Sequence, residues 1–273
     1  QAVSSGLELN RFGTRLSFLF AAHNALFEEP AKSRAARRLW ARLARERFNA
    51  DDQTCRLRFH TQTGGVTLQA QQPLNNVVRV TVQALAATLG GTQSLHTNGY
   101  DEALALPTAE SATLALRTQQ IVGYESGLGT AVDPLAGSYY VEALTDRIER
   151  EARALVEEVD RLGGAARAID RGYFQEAIAR SAWQFQQAVE RGEQVVVGVN
   201  KFTDDSPPPA IARPDYSALA ERQKGRLAEV KRRRDETLVH QGLTAVRVAA
   251  EAPAPLMPPI IAAVRARATL GEI

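Results

Sequence analysis

Polar side chains able to grip a ligand gather at two places in the sequence, His60 and Gln62 in one and Gln93, His96 and Asn98 in the other. The first pair follows Cys55–Phe59, which reads as a strand running into the turn Thr61-Gln-Thr-Gly-Gly65. The second group lies in Thr92–Asn98, another strand that ends the same way. In α/β sheets and barrels, ligands bind at the carboxyl ends of strands. On continued strand geometry His60 and Gln62 point the same way. Each carries donors and acceptors, which suits an amide- or carbonyl-bearing ligand. A histidine hydrogen-bonded within its own turn fits the same spacing. Gln93 is expected to point opposite to His96.

Other residues near these ends have two readings each. Asp101-Glu102 either opens a helix, where the dipole favours acids, or offers a carboxylate to a ligand hydroxyl. Gly64-Gly65 either makes a tight turn or lets a flat ligand approach the backbone. Arg15 and Ser17 alternate with apolar neighbours and share a face; the pair suits a phosphate, and a surface salt bridge fits as well. No H-x-x-x-H, H-E-x-x-H or C-x-x-C spacing points to a metal held by side chains, and no phosphate loop, nucleophile elbow or dinucleotide fingerprint occurs. The run Lys231-Arg-Arg-Arg234 lacks aromatic interleaving and reads as a solvated helix face.

With 273 residues, 44% hydrophobic and 23% charged, the composition is that of a globular protein of one large or two small domains. A net charge of +2 gives no reason to expect nucleic acid or an anionic membrane as partner. Cys55 is the single cysteine, so no internal disulfide forms and a reducing, cytoplasmic setting is expected. No long apolar run or signal pattern is present. The sequence starts at Gln1 and its one methionine is Met257, which leads us to expect a removed leader or a piece of a longer chain.

These residues need positioning elements. Arg15–Phe20 reads as a strand, and a helix is expected from Glu28 to about Phe48 with Ala35, Leu39 and Leu43 along one stripe. Pro73 stands near the first turn of a second helix with Val78, Val82, Leu85 and Leu89 on one face, closed by Gly90-Gly91. Strand, helix, strand, helix, strand over residues 15–97 argues for parallel strands with right-handed crossovers. Further helices are expected over 108–126, 141–162 (Leu144, Ile148, Leu155, Val159 and Leu162 inward) and 174–191, then a short buried strand at Val195–Val199. Ser206–Ala210 and Pro214 mark a boundary, and a proline-bearing break at Ala252–Pro259 precedes the last helix.

A series of segments carries a family likeness: Arg15-Leu-Ser17, Ala35–Trp40, His60–Gly64, Asn75-Asn76, Gly91–Asn98, Asp101–Thr108, Glu125–Gly127, Asp133-Pro134, Gly137–Tyr139 and Val197–Lys201. In this order they resemble the large, catalytic subunit of the methylmalonyl-CoA mutase family, and the likeness continues to Thr269–Ile273. It implies the C-terminal part of a (β/α)8 TIM barrel, about strands six to eight, over residues 1–205, with a helical linker over 206–273. It also implies acyl-CoA as substrate along the barrel axis and adenosylcobalamin capping the carboxyl-end face, with a radical rearrangement of the carbon skeleton.

By the same resemblance, Arg15 and Ser17 match positions that bind the CoA part, and His60, Gln62 and Gln93 match residues lining the substrate channel. Asn98 and Glu102 match groups near the cofactor's adenosyl ribose, and Gly65 a glycine against the corrin. The family's catalytic tyrosine and its acyl-gripping arginine and histidine match nothing in this chain, and the lower-ligand motif Asp-x-His-x-x-Gly is absent from it. Val66 stands where the methylmalonyl enzymes have tryptophan, which is more like relatives acting on isobutyryl- or 2-hydroxyisobutyryl-type thioesters. The expected partners are the N-terminal barrel half and a cobalamin-binding domain or small subunit, in an oligomer, and the chain is expected to be inactive without them. The rival expectation is a non-catalytic half-barrel that holds CoA or serves as a scaffold.

Overall fold

The structure, a computed structural model, describes residues 2–204 and 215–273. The boundary expected at Ser206–Ala210 and Pro214 lies outside the described residues. The chain divides into two compact units, Gln1–Arg213 and Pro214–Ile273.

The first unit opens with a short helix α1 (Leu9–Phe12) and a 3-10 turn, Gly13–Arg15. The strand β1 (Phe18–Ala22) follows. The helix α2 (Glu28–Phe48) has Glu28 and Glu29 in its first turn and Arg45 and Arg47 in its last, each matched to the helix dipole. Asn49 ends it with a left-handed backbone, φ 50°. Then come β2 (Phe59–Thr63), α3 (Asn75–Leu89) and β3 (Ser94–His96).

The strands form a parallel three-stranded sheet in the order β1-β2-β3, as the alternation predicts. Leu19 and Ala21 stand beside His60 and Gln62, which in turn stand beside Ser94 and His96. Side chains in register share a face. The opposite face is covered: Phe59, Thr61 and Thr63 are buried, Phe20 meets Phe59 edge-on with ring centroids 5.3 Å apart, and Phe18 meets Trp40 of α2 at 5.0 Å.

Several sequence expectations shift here. The first strand starts at Phe18 rather than Arg15, because Leu16 N–H closes the 3-10 turn onto Gly13 O. The second starts at Phe59, where it was expected to end. Asp51 accepts from Thr54 N–H through its side chain and from Cys55 N–H through its carbonyl, which keeps that stretch coiled. The stripe expected on α3 is rotated: Val78 is 66% exposed, and Asn76, Val80, Gln83, Ala84, Ala86 and Ala87 are the buried residues. Small alanines and hydrogen-bonded amides fill that side, so the bulky apolar residues do not mark it. Val195–Val199 is not a buried strand, since Val195 and Val197 are more than 40% exposed. Asn200 closes a turn there, accepting from Val196 N–H and donating to Gln194 O.

Thr108 caps α4 (Ala109–Tyr124) by accepting from Ser111 N–H. The helix α5 (Tyr139–Arg161) packs along α2 through Val141, Leu144 and an ion network. Arg34 bonds Asp133 and Glu142, while Arg38 and Arg42 converge on the buried Glu149. Gly137 N–H and then Arg34 hold the Glu142 carboxyl below its ordinary range. Leu155, expected inward, is 56% exposed. A short helix α6 (Ala165–Asp170), not anticipated from the sequence, leads into α7 (Tyr173–Glu190).

The second unit contains α8 (Ser217–Arg233), α9 (Glu236–Glu251) and α10 (Met257–Arg265). Asp235 caps α9, and Gly242 lets α9 approach α10 so closely that a Cβ there would lie 2.9 Å from Ala263 Cα. The break before α10 is shorter than the prolines suggested, because Pro258 and Pro259 sit inside its first turn. Arg234 donates to Glu272, which also accepts from Thr269 N–H and Oγ1–H; these bonds hold the Glu272 carboxyl well below its ordinary range.

Candidate functional site

The uncovered face of the sheet carries Leu19 and Ala21 from β1, His60 and Gln62 from β2, and Ser94 and His96 from β3. His60 and Gln62 are half-buried, and their neighbours on this face are exposed. The strand parity follows directly from the buried Phe59, Thr61 and Thr63 on the other side. His60 Nδ1 lies 2.7 Å from Ser94 Oγ, so the ring is held to the next strand and not within its own turn.

At the carboxyl end the strand exits converge. Gln62 Nε2–H donates to Asn98 Oδ1 at 3.0 Å, and Asn98 Nδ2–H donates to Thr63 O at 3.0 Å. Asn98 N–H adds a bond to Thr63 Oγ1 at 2.9 Å, and the residue is 2% exposed. Gly65 lies against this pair: a Cβ there would be 3.1 Å from Asn98 Nδ2 and 3.5 Å from Glu102 Cγ and Oε1. Glu102 is exposed and has no hydrogen-bond partner for its carboxylate among those described. Asp101, in contrast, is fully buried; its Oδ2 accepts from Thr108 N–H, and its Oδ1 has no hydrogen-bond partner among the described residues. Gln62, Gly65, Asn98 and Glu102 therefore form one cluster.

Gln93 is not part of that cluster. It precedes β3, and its Oε1 accepts from Phe59 N–H at 2.7 Å while its Nε2–H donates to Gly91 O. Its amide is committed to backbone at the amino end of the sheet. Arg15 and Ser17 are exposed and lie before β1, Arg15 in the 3-10 turn, so strand alternation does not give them a common face.

Residues that the sequence reading passed over hold the exits in place. His23 follows β1, and a Cβ on Gly64 would lie 2.4 Å from its Cδ2, so the glycine makes room for the imidazole. Asn76, fully buried on α3, donates to Gln69 O and Tyr100 O and accepts from Gln69 N–H, bridging the exits of β2 and β3. Gln83, also fully buried, donates to Asn24 Oδ1 and Thr67 Oγ1, bridging the exits of β1 and β2. The sequence signal for Gln83 was an amide inside an otherwise apolar helix; Asn76 belongs to the Asn75-Asn76 segment of the family likeness. Among the described residues, no group of three or more His, Cys, Asp or Glu side chains is placed to hold a metal ion, and no helix is long and apolar enough to cross a membrane.

The fold is that of an α/β chain with a small parallel sheet, one face of it bare and its carboxyl-terminal exits joined by hydrogen-bonded polar side chains. Comparison with known proteins gives the family. A sequence profile described as methylmalonyl-CoA mutase matches residues 1–273. The chain is 46% identical to a methylmalonyl-CoA mutase of Rhizobium meliloti (strain 1021), over 100% of this chain and 38% of that protein. It is 44% identical to a 2-hydroxyisobutanoyl-CoA mutase large subunit of Aquincola tertiaricarbonis, over 100% of this chain and 49% of the relative. It is also 44% identical to a methylmalonyl-CoA mutase of Escherichia coli (strain K12), again over 100% of this chain and 38% of the relative. The chain belongs to the methylmalonyl-CoA mutase family, and it spans less than half the length of each of these relatives.

Proposed function

We propose that this chain is the C-terminal part of the acyl-CoA-binding barrel of an adenosylcobalamin-dependent acyl-CoA mutase, with β1, β2 and β3 as about the sixth to eighth barrel strands. Residues 1–205 form the barrel segment and 206–273 the helical extension. The observation that carries this reading is the bare polar sheet face joined at its carboxyl end to the Gln62–Asn98–Gly65–Glu102 cluster. In a closed barrel that face lines the interior, where the substrate lies, and the strand exits meet the cofactor.

The cluster fits the cofactor. At Gly65 a Cβ would sit tight against Asn98 Nδ2, 3.1 Å away, and in ordinary contact with Glu102, so the glycine keeps backbone open beside them. The exposed Glu102 carboxylate would accept from the ribose hydroxyls of the cofactor, and Asn98, anchored on Thr63, supports both Gly65 and Gln62. When bound, adenosylcobalamin supplies the radical chemistry of the carbon-skeleton rearrangement. The chain's own residues bind and orient. Arg15 and Ser17 take the CoA part, and His60, held by Ser94, presents its free ring nitrogen to the acyl thioester. Gln62 stands between substrate and cofactor. Gln93 serves the channel by fixing the amino end of β2 against β3.

Val66, 82% exposed beside Gly65, leaves more open space than a larger side chain would. This supports a short branched acyl group of the isobutyryl or 2-hydroxyisobutyryl type. The rest of the barrel and a cobalamin-binding domain or small subunit complete the enzyme, as a cytoplasmic oligomer. The test is reconstitution. The 273-residue chain alone should show no thioester isomerisation with adenosylcobalamin and short branched acyl-CoAs, and the chain joined to an N-terminal barrel half and cobalamin-binding domain should show it. Failure of the joined protein to bind acyl-CoA would contradict the reading and favour a scaffold.

A further inference from the structure

From the geometry of α3 we infer that Gln83 is a positioning residue that sets the Gly64–Thr67 turn, and with it Gly65 and Val66, against the exit of β1. Gln83 is fully buried on the sheet side of α3. Its Nε2 donates 2.6 Å bonds to Asn24 Oδ1 and to Thr67 Oγ1. Thr67 Oγ1–H in turn donates to Gly64 O at 2.7 Å, and Gly64 N–H donates to Ala22 O at 2.7 Å. The donors therefore run in one direction from the helix amide, through the threonine hydroxyl, to the turn and on to the end of β1.

The amide is costly where it is. Its Oε1 is buried and has no hydrogen-bond partner among the described residues. A buried, unsatisfied acceptor is destabilising, and an apolar side chain of similar size avoids that cost. Both donors, by contrast, are fully used, one on Asn24 in the bend after β1 and one on Thr67 in the 3-10 turn Gly65–Thr67 after β2. The side chain is thus explained by what it holds. What it holds is the turn that presents Gly65 to Asn98 and Glu102 and carries the exposed Val66. Asn76 makes a different bridge on the same helix, to Gln69 and Tyr100, so Gln83 is the α3 side chain that ties the β1 and β2 exits.

The functional consequence rests on the proposed reading of this turn as a cofactor wall, and the experiment separates the two. In the 273-residue chain, Gln83→Leu removes both donors at nearly constant volume. Amide exchange at Thr67 and Leu68, whose N–H groups bond Gly64 O and Gly65 O, should accelerate about tenfold while α2 is unchanged. Thr67→Val should reproduce this, Thr67→Ser should not, and the double variant Gln83→Leu with Thr67→Val should be no faster than either single. Unchanged exchange in the turn, additive effects in the double variant, or equal acceleration throughout α3 would overturn the inference. In the joined enzyme, Gln83→Leu should weaken adenosylcobalamin binding with the acyl-CoA KM unmoved. If the exchange result holds and cobalamin affinity is untouched, the clamp stands and the assignment of the turn to the cofactor falls.

Discussion

The two faces of the sheet are made from the same three strands and obey opposite rules. On the covered face Phe18, Phe20 and Phe59 pack against each other and Trp40, while the hydroxyls there find partners, Thr61 on Thr92 and Thr63 on Asn98. On the bare face Leu19 is 68% exposed, and the polar groups reach sideways to the next strand or toward the exits. The difference teaches which residues are committed to folding. A side chain whose hydrogen-bonding capacity is filled by backbone, such as Gln93, belongs to the scaffold. One with capacity left over, such as His60 or Glu102, is available to a ligand.

The largest contrast should come from neighbouring residues of β2. Phe59→Ala removes a ring that is 2% exposed and should destabilise the first unit by about 3–5 kcal/mol in a denaturant titration. A cost similar to that of a surface substitution would break the division between faces. Thr63→Val lies where the faces meet. It deletes the hydroxyl that accepts from Asn98 N–H and should cost about 1–3 kcal/mol, with exchange at Asn98 rising first.

The packing of α5 along α2 carries an acid dependence of its own. The Glu142 carboxyl titrates below its ordinary 4.5, chiefly through Gly137 N–H and Arg34. A depressed folded pKa means that its contribution is present above the ordinary value and is lost as pH falls through the lower one. Protection in the first turn of α5 should therefore fade below about pH 4.5, and Glu142→Gln should remove that component of the pH profile. A profile unchanged by the substitution would assign the acid sensitivity elsewhere. The smallest effect is expected at His60→Ala, within about 0.5 kcal/mol of the parent protein, because the ring lies on the bare face and its Ser94 bond is solvent-exposed.

The alternation of strands and helices was legible because apolar runs, Pro73 and Gly90-Gly91 punctuate it. Helix α2 matched its expected Glu28–Phe48 limits because acids, arginines and Asn49 mark its ends. The strand limits were not legible, since the 3-10 turn at Gly13–Arg15 and the Asp51 turn are set by hydrogen bonds that leave no periodic trace. His60 and Gln62 were found by parity, which survives a shift of strand limits. Gln93 was grouped with them because its type is right; its commitment to Phe59 appears only once β2 and β3 are paired. Gln83 escaped because polarity inside a helical apolar pattern looks like an interruption, when here it is a means by which α3 holds the exits; Asn76 was quoted only for its family likeness, and its bridging role shows once the exits are packed.

The central claim is that the bare face meets the acyl-CoA while the Gly65–Asn98–Glu102 end meets the cofactor. Paired titrations of adenosylcobalamin and acyl-CoA on the joined enzyme test it most directly, using His60→Ala and Glu102→Ala. The account predicts that Glu102→Ala weakens adenosylcobalamin binding by about tenfold, or about 1.4 kcal/mol, with the acyl-CoA KM unchanged. It predicts that His60→Ala raises the acyl-CoA KM and leaves cobalamin affinity as it was. The reverse pattern, or two variants that bind both ligands like the parent enzyme, would contradict it.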